Sequence, residues 1–423
     1  MKINKIKVIE AMEKIGIQTQ TELAKRLGIT KNQLSVILSE NYEPVKAGVS
    51  ELCKALEIDP GDILEAQSQP TTTEEDKNVE SINQELHIQT QIAVTAIELF
   101  AGAGGLAVGL EQAGIHTKQF VEIDKFCCAT LKTNRPDWNV INADITGIDF
   151  TQYRSKIDVV TGGFPCQAFS FAGKKLGFED TRGTLFYEFA RCINEVQPII
   201  FMAENVRGLL THDCGRTIQV IMNVFGELGY HVQHKVLNAA HYGVAQKRER
   251  IVIIGKKDGI HFEYPKKRNS LQTLKDALKD CPYSEGQKYS ENKKKVLDLV
   301  PPGGSWIDLP IDLQKSYLGK SYFSGGGKRG MARRIAWHEQ CLTLTCSPSQ
   351  KQTERCHPEE TRPFTVREYA RIQSFPDDWQ FKGGIGSKYK QIGNAVPVEL
   401  ARQLGVQLKT AVDEFRKSGH INN

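Results

Sequence analysis

The sequence predicts an α/β protein: a mostly parallel sheet covered by helices on both faces, interrupted by an inserted lobe and preceded by a small all-α unit. Three observations carry this expectation. From residue 93 onward, short apolar runs alternate with amphipathic helical stretches, the pattern of a sheet with helices on both faces. Between about 257 and 355 the alternation stops, and Gly, Pro, Lys and aromatic residues rise. Residues 1–66 carry apolar positions at helical rather than strand spacing.

Length and composition bound the rest. At 423 residues the chain exceeds one ordinary domain of ~100–200 residues. With 40% hydrophobic residues it can bury a sizeable core. No apolar run reaches the ~18 residues a membrane span needs, so no membrane partner is expected. The opening "MKINKIKVIEAMEKIG" is charged throughout and lacks the apolar stretch of a secretion signal, which predicts a cytoplasmic protein. The 10 cysteines are scattered along a long chain, so they are expected to be reduced and mostly buried. Cys341, Cys346, Cys356 and His357 form the densest cluster. Their spacing fits no common zinc pattern, so they are read as packing, and no metal is expected.

The first unit, residues 1–66, contains "TQTELAKRLGITKNQLSVILSE". Leu23, Ala24 and Leu27 fall on one helical face, Gly28 ends that helix, and Thr30 can cap a second helix with Leu34, Ile37 and Leu38 turned inward. Two short helices around a tight glycine turn form a helix-turn-helix, which resembles the Cro/C1-type repressor domains. Lys31, Asn32, Gln33 and Ser35 would face outward at the start of the second helix, where base edges are read. Residues 1–38 hold 7 basic and 3 acidic side chains, which favours DNA over a protein partner. Residues 67–92 are polar, without a strong apolar period, and read as a linker.

The sheet-forming part divides into residues 93–256, an inserted lobe at 257–355, and a return to the α/β core at 356–423. Segments 256–335 carry 17 Lys/Arg against 9 Asp/Glu, an excess larger than the net +5 of the whole chain. A local basic surface of this kind suits a polyanion.

Four polar or reactive clusters fall where strands should end, the edge at which ligands meet sheets of this type. In "IELFAGAGGLAVGLEQAG", Gly102, Gly104 and Gly105 allow close approach of the backbone to a ligand. At the end of the next strand, Glu122 in "VEID" is placed for ribose hydroxyls. Asp144 in "NADIT" follows the third strand and could accept an adenine amino proton. The full G-x-G-x-x-G phosphate fingerprint is missing, which disfavours a dinucleotide and suits S-adenosylmethionine. "GGFPCQAFSFAG" sets Cys166 on a Gly/Pro loop after the fourth strand. "MAENVRGLL" brings Glu204 to the end of the fifth, a candidate proton donor or hydrogen-bond anchor. "HYGVAQKRER" brings Arg248 and Arg250 to one face as another strand begins.

In this order the set resembles the DNA (cytosine-5)-methyltransferases. "FAGAGG" matches that family's cofactor loop, "GGFPCQAFS" its Pro-Cys loop, "ENV" its glutamate motif and "QKRER" its arginine motif. "RPFTVREYARIQSFPDDW" and "YKQIGNAVP" match the ninth and tenth blocks, so the likeness spans about residues 93–415. The resemblance implies the S-adenosylmethionine-dependent methyltransferase fold, which is Rossmann-like, with 257–355 in the place of the target-recognition region. It implies that Cys166 attacks C6 of a flipped-out cytosine, that Glu204 holds N3 and the exocyclic amine, that Arg250 contacts the carbonyl, and that Arg248 supports the loop. The cofactor contacts it implies are Phe100, Gly102, Gly104, Gly105, Leu106, Glu122, Ile123, Asp144, Ile145, Pro165 and Asn394. The ninth block reads as mainly structural.

Double-stranded DNA is therefore the expected partner, with a cognate restriction endonuclease in functional association and the gene's own promoter as a second DNA target of the first unit. Methylation of tRNA cytosine, and repression by a chain that has lost catalysis, are the rival expectations. The long basic insertion and the helix-turn-helix speak against the first, and intact Cys166, Glu204 and Arg250 against the second. Amino-group methylation is disfavoured because "FPCQ" stands where such enzymes carry a D/N-P-P-Y/F loop.

Overall fold

The structure, a computed structural model, describes residues 2–3, 5–17, 19–29, 34, 37–38, 52–58, 64–65, 93–165, 184–323 and 330–419. Contacts divide the chain into two units, Met1–Gln91 and Ile92–Asn423.

In the first unit, helix α1 (Lys5–Lys14) precedes α2 (Gln20–Arg26). Thr19 caps α2 by accepting the Glu22 amide at 3.2 Å. Gly28, at φ +68°, ends it as expected: the Gly28 amide donates to Lys25 O and the Ile29 amide to Ala24 O, the paired bonds of a Schellman stop. Val8, Leu23, Ala24, Leu34, Leu38, Leu52 and Leu56 are buried together. Thr30, Lys31, Asn32, Gln33 and Ser35 lie outside the described residues. The all-α expectation needs one correction. Strands β1 (Lys2–Ile3) and β2 (Leu64–Glu65) pair antiparallel, and two residues are too few to show a strand period in sequence.

The second unit is built on a sheet that, among the described residues, has seven strands. They are β3 (Val94–Leu99), β4 (Ile115–Glu122), β5 (Val140–Asn142), β6 (Val159–Gly162), β7 (Ile200–Val206), β8 (His231–Asn238) and β10 (Glu249–Lys256). The spatial order is β5-β4-β3-β6-β7-β10-β8. The first five are parallel, and β10 runs antiparallel to both β7 and β8. The sheet is thus mostly parallel, as expected.

Successive side chains on each strand point to opposite faces, and both faces are covered. Ile97, Leu99, Val160, Phe201 and Ile253 pack against helices α5 (Leu185–Val196) and α6 (Arg216–Glu227) through Phe186, Phe189, Val224 and Phe225. Val94, Ala96, Val159, Met202 and Ile254 pack on the other face against α3 (Gly105–Gln112) and α12 (Val398–Lys417). These two helices pack closely: a Cβ on Gly109 would stand 2.4 Å from the Ala401 Cβ. Among the described residues no helix is long and apolar enough to cross a membrane.

Packing divides the stretch expected to stand apart at 257–355. Ile260 and Phe262 join the face covered by α12. Leu274 and Leu278 of α7 (Leu274–Leu278), with Ile335, Cys341 and Leu344, join a core with α4 (Lys125–Asn134), α10 (Val366–Ile372) and α11 (Ile385–Asn394). Tyr289, Leu297, Val300, Leu309, Ala332 and Cys356 form a small core of their own around α8 (Glu291–Leu297) and α9 (Ile311–Leu318). The Lys293–Glu354 ion pair, at 2.7 Å, ties α8 to this core through a fully buried carboxylate. Cys341, Cys356 and His357 are buried and Cys346 is exposed. Among the described residues no three His, Cys, Asp or Glu side chains converge as a metal site would require.

Glu98 is the one acid fully buried within the sheet strands, in register with Thr161 on β6. Burial pushes its carboxyl well above the ordinary range; the Ala107 amide at the start of α3 opposes this, and Glu122 adds to it. A carboxyl raised by folding is neutral in the folded state. Its contribution is complete below the ordinary carboxyl pKa of ~4.3 and is lost by about 1.4 kcal/mol per pH unit as pH climbs toward the folded value. Glu98→Gln is therefore expected to match the parent near pH 4 and to gain on it as pH rises above that in thermal melts. A deficit that widened with pH would contradict this.

Candidate active site at the strand ends

Because β3 to β7 are parallel, their carboxyl ends share one edge of the sheet, and the antiparallel β10 begins at that same edge. This places the glycine turn, Glu122, Asp144, the Gly162–Pro165 segment, Glu204 and Arg250 along one crevice although they are far apart in sequence.

The glycine turn leaves β3 through Phe100, Gly102 and Gly104, all at positive φ (+56°, +55° and +90°). For Phe100 that conformation costs ~1 kcal/mol or more, and surrounding contacts hold it. Glu122 is the main clamp: one carboxylate oxygen accepts the Gly102 amide at 2.7 Å and the other the Asp124 amide at 2.8 Å. A Cβ on Gly104 would lie 2.8 Å from Leu131 Cδ2 and 2.9 Å from Trp379 Cζ2. On Gly105 it would lie 2.2 Å from Val396 O. The Trp379 indole also donates to Ala103 O at 3.1 Å. Glycine is thus required twice, for the turn and for the backing it lies against.

The other expected cofactor residues sit around this turn. Leu106 and Ile145 are buried, whereas Ile123 is 66% exposed beyond the end of β4. Asp144 is exposed at the end of β5. Its carboxyl is held below the usual range by the Thr146 amide and hydroxyl, 3.0 and 2.9 Å from Oδ1. Asn394, exposed at the end of α11, accepts the Cys346 thiol at 2.9 Å. An apolar platform at Ile123, a carboxylate clamp at Glu122 and glycines at 102, 104 and 105 fit an adenosine with its ribose. Glu122→Ala is expected to weaken S-adenosylmethionine binding by ~10-fold or more, since it removes a ribose acceptor and frees the Gly102 amide. Calorimetric titration checks this; an unchanged dissociation constant would show that Glu122 does not face the ribose.

The reactive side of the crevice lies on β6, β7 and β10. Phe164 is buried against Phe186 and Phe189, and its carbonyl accepts the Asn205 amide group at 2.9 Å. Pro165 is exposed, and the described chain stops there. Cys166, expected as the nucleophile, lies outside the described residues, as do residues 167–183. Gly163 passes directly over Glu204: a Cβ there would be 3.1 Å from Glu204 Oε2.

Glu204 and Arg250 meet as an ion pair, Oε1 to Nε at 2.7 Å, each side chain 12% exposed. The contact is close but not aligned as a hydrogen bond, so the buried Oε1 lacks a directed donor. Such a carboxylate retains capacity for a ligand's N–H groups.

Arg248 sits differently from Arg250. It is 1% exposed, and its guanidinium donates to the main-chain oxygens of Leu344 (3.2 Å), Gly393 (3.0 Å) and Asn394 (3.5 Å). Burial, with the nearby Arg250 charge, pushes its pKa down to about 9, and Glu204 partly offsets this. Its two terminal nitrogens donate to the backbone, while the buried Nε has no partner, so Arg248 chiefly holds loops in place. Sequence reasoning missed Trp379, Gln246 and Gln373, which no local pattern marks as neighbours of this crevice.

A family profile for C-5 cytosine-specific DNA methylases matches residues 94–410, and one for Cro/C1-type helix-turn-helix DNA-binding domains matches residues 7–69. The Type II methyltransferase M.Sau96I of Staphylococcus aureus is 50% identical over 98% of this chain and 100% of its own length. M.Eco47II of Escherichia coli, also a Type II methyltransferase, is 58% identical over 76% of this chain and 80% of its own. Among solved structures, a prophage-encoded DNA modification methyltransferase from E. coli superposes with a TM-score of 0.56 at 24% identity. It covers 76% of this chain and 99% of that one. A Spodoptera frugiperda DNMT2 gives 0.53 at 16%, covering 75% and 99%. At these identities the two structures speak for the fold alone.

Proposed function

Because the chain belongs to the C-5 cytosine-specific DNA methylase family, and is thus an S-adenosylmethionine-dependent DNA methyltransferase of the Type II kind, we propose that it works through a covalent Cys166 adduct on a cytosine turned out of the duplex. The observation that carries this reading is the buried Glu204–Arg250 pair beside the anchored Phe164–Pro165 segment that leads into Cys166.

Cytosine C5 is a weak nucleophile. Addition of the Cys166 thiolate at C6 makes C5 enamine-like, which divides one difficult step into easier ones. Glu204, with its undirected Oε1, holds the N3 and exocyclic amine edge while charge shifts toward N3. Arg250 holds Glu204 in place and reaches the cytosine carbonyl. S-adenosylmethionine, held by Phe100, Gly102, Gly104, Gly105, Leu106, Glu122, Ile123, Asp144, Ile145, Pro165 and Asn394, supplies the methyl group. Loss of the C5 proton then restores the ring and expels the Cys166 sulfur. The reacting face is inaccessible inside a stacked duplex, so the base must flip out, and the basic 256–335 stretch supplies phosphate contacts.

A duplex bearing 5-fluorocytosine tests the adduct. Fluorine at C5 cannot leave as a proton does, so the enzyme should remain attached to the DNA in denaturing gels, and Cys166→Ala should not. Release of the parent protein from such DNA would refute the covalent route.

The same reading extends to biological context. Protection of host DNA against a cognate restriction endonuclease is the role that the Type II relationship supports. The Cro/C1-type unit, reading DNA through Lys31, Asn32, Gln33 and Ser35, would bind the promoter of its own gene and restrain it. Footprinting with the full-length protein should show protection upstream of the gene; none would remove this second role.

A further inference from the structure

Gln391, Ile392 and Gly393 in the last turn of α11 are buried, and the last carbonyls of such a helix must find donors. Two side chains from distant parts of the sequence provide them, and a third supports the pair. Gln373, at the end of α10 and fully buried, donates through Nε2 to Ile392 O at 2.8 Å and Ala395 O at 3.3 Å. Arg248 donates to Gly393 O and Asn394 O, so a cation also faces the negative end of the helix dipole. Gln246, fully buried on β9 (Gln246–Lys247), supports both. Its Nε2 donates to Gln373 Oε1 at 2.9 Å, and its Oε1 accepts the Leu344 amide at 2.9 Å. Gly393 fits tightly: a Cβ there would stand 2.4 Å from Thr345 O.

We infer that Gln373 and Gln246 are positioning residues for cofactor binding, an amide pair that sets the 392–395 turn, and with it Asn394, relative to the strand that carries Arg250. The inference rests on the methyltransferase reading and assigns work to two side chains that touch no substrate. The two amides are satisfied by each other and by the backbone, so removing either leaves buried groups unpaired at the turn bearing Asn394. The lost order should therefore appear in cofactor affinity before it appears in DNA affinity.

The experiment uses the full-length protein. S-adenosylhomocysteine affinity is measured by titration calorimetry, alongside kcat and KM for DNA, for Gln373→Leu, Gln246→Leu and the double variant. Gln373→Leu should weaken S-adenosylhomocysteine about 10-fold while KM for DNA stays within about twofold. The double variant should be no worse than Gln373→Leu, because both changes break one unit. Gln373→Glu gives a second readout and stands in if the leucine variant does not fold. Only its protonated carboxyl can donate to Ile392 O, so its cofactor affinity should improve from pH 8 to pH 6 relative to the parent. Affinity within twofold of the parent in folded Gln373→Leu, losses that multiply in the double variant, or a flat pH profile for Gln373→Glu would each overturn the inference. If the parent itself failed to bind S-adenosylhomocysteine, the methyltransferase reading would fall, and the inference with it.

Discussion

Cys166→Ser is expected to abolish methyl transfer while leaving S-adenosylmethionine binding within about twofold of the parent. The glycine turn is clamped by Glu122, Trp379 and Val396, none of which belongs to the Gly162–Pro165 segment that leads into Cys166. Losing the sulfur therefore removes the covalent step without disturbing the cofactor cradle. A serine hydroxyl is far less acidic than a thiol, so a fall of ~10³-fold or more in kcat is expected. Single-turnover assays on duplex DNA, with cofactor affinity measured separately, check both halves. A serine variant that methylates at a comparable rate would exclude the adduct.

The second large effect belongs to the Glu204–Arg250 pair. Both side chains are 12% exposed, so neither charge is screened well by water. Breaking such a pair from one side leaves an unpaired buried charge, a penalty of about 3–5 kcal/mol. Glu204→Gln also replaces the carboxyl that supports charge at N3 with a neutral amide, and should lower kcat by ~10²–10³-fold. Arg250→Leu should lower it comparably and reduce thermal stability as well, because the Glu204 carboxylate is then buried beside apolar atoms. The double variant should lose no more activity than the worse single variant, since the two groups act as a unit. Losses that multiplied would show that Glu204 and Arg250 serve separate steps.

Much of the fold was legible because β3 to β7 alternate with helices in the chain, and their apolar runs end in glycine or acidic residues. The strand ends and the crevice follow from that pattern. Strand direction does not. The apolar run at 249–256 reads the same whichever way it enters the sheet, yet its antiparallel course is what delivers Arg250 to the edge holding Glu204.

The small antiparallel pair of β1 and β2 was invisible for a different reason, since each strand is two residues long. Composition marked 257–355 as one basic stretch, but burial distributes it. Ile260 and Leu274 belong to cores shared with the sheet and α10, and the stretch around Tyr289–Ala332 keeps a core of its own.

Long-range polar pairs were the least legible feature. The resemblance gave Arg248 and Arg250 of "QKRER" different roles, but nothing local shows that one ends on main-chain oxygens 96 to 146 residues away and the other on the Glu204 carboxylate. Nothing local to Gln373 or Trp379 signals that one caps α11 and the other backs the glycine turn. Such contacts arise from how the ninth and tenth blocks return to the sheet, and only the folded chain shows them.

The most direct test is incubation of the full-length protein with tritiated S-adenosylmethionine and mixed-sequence duplex DNA, with tRNA in parallel. The account predicts label in DNA, recovered as 5-methylcytosine, and none when Cys166 is replaced by alanine. Label confined to tRNA, or recovered on an exocyclic amine, would contradict it.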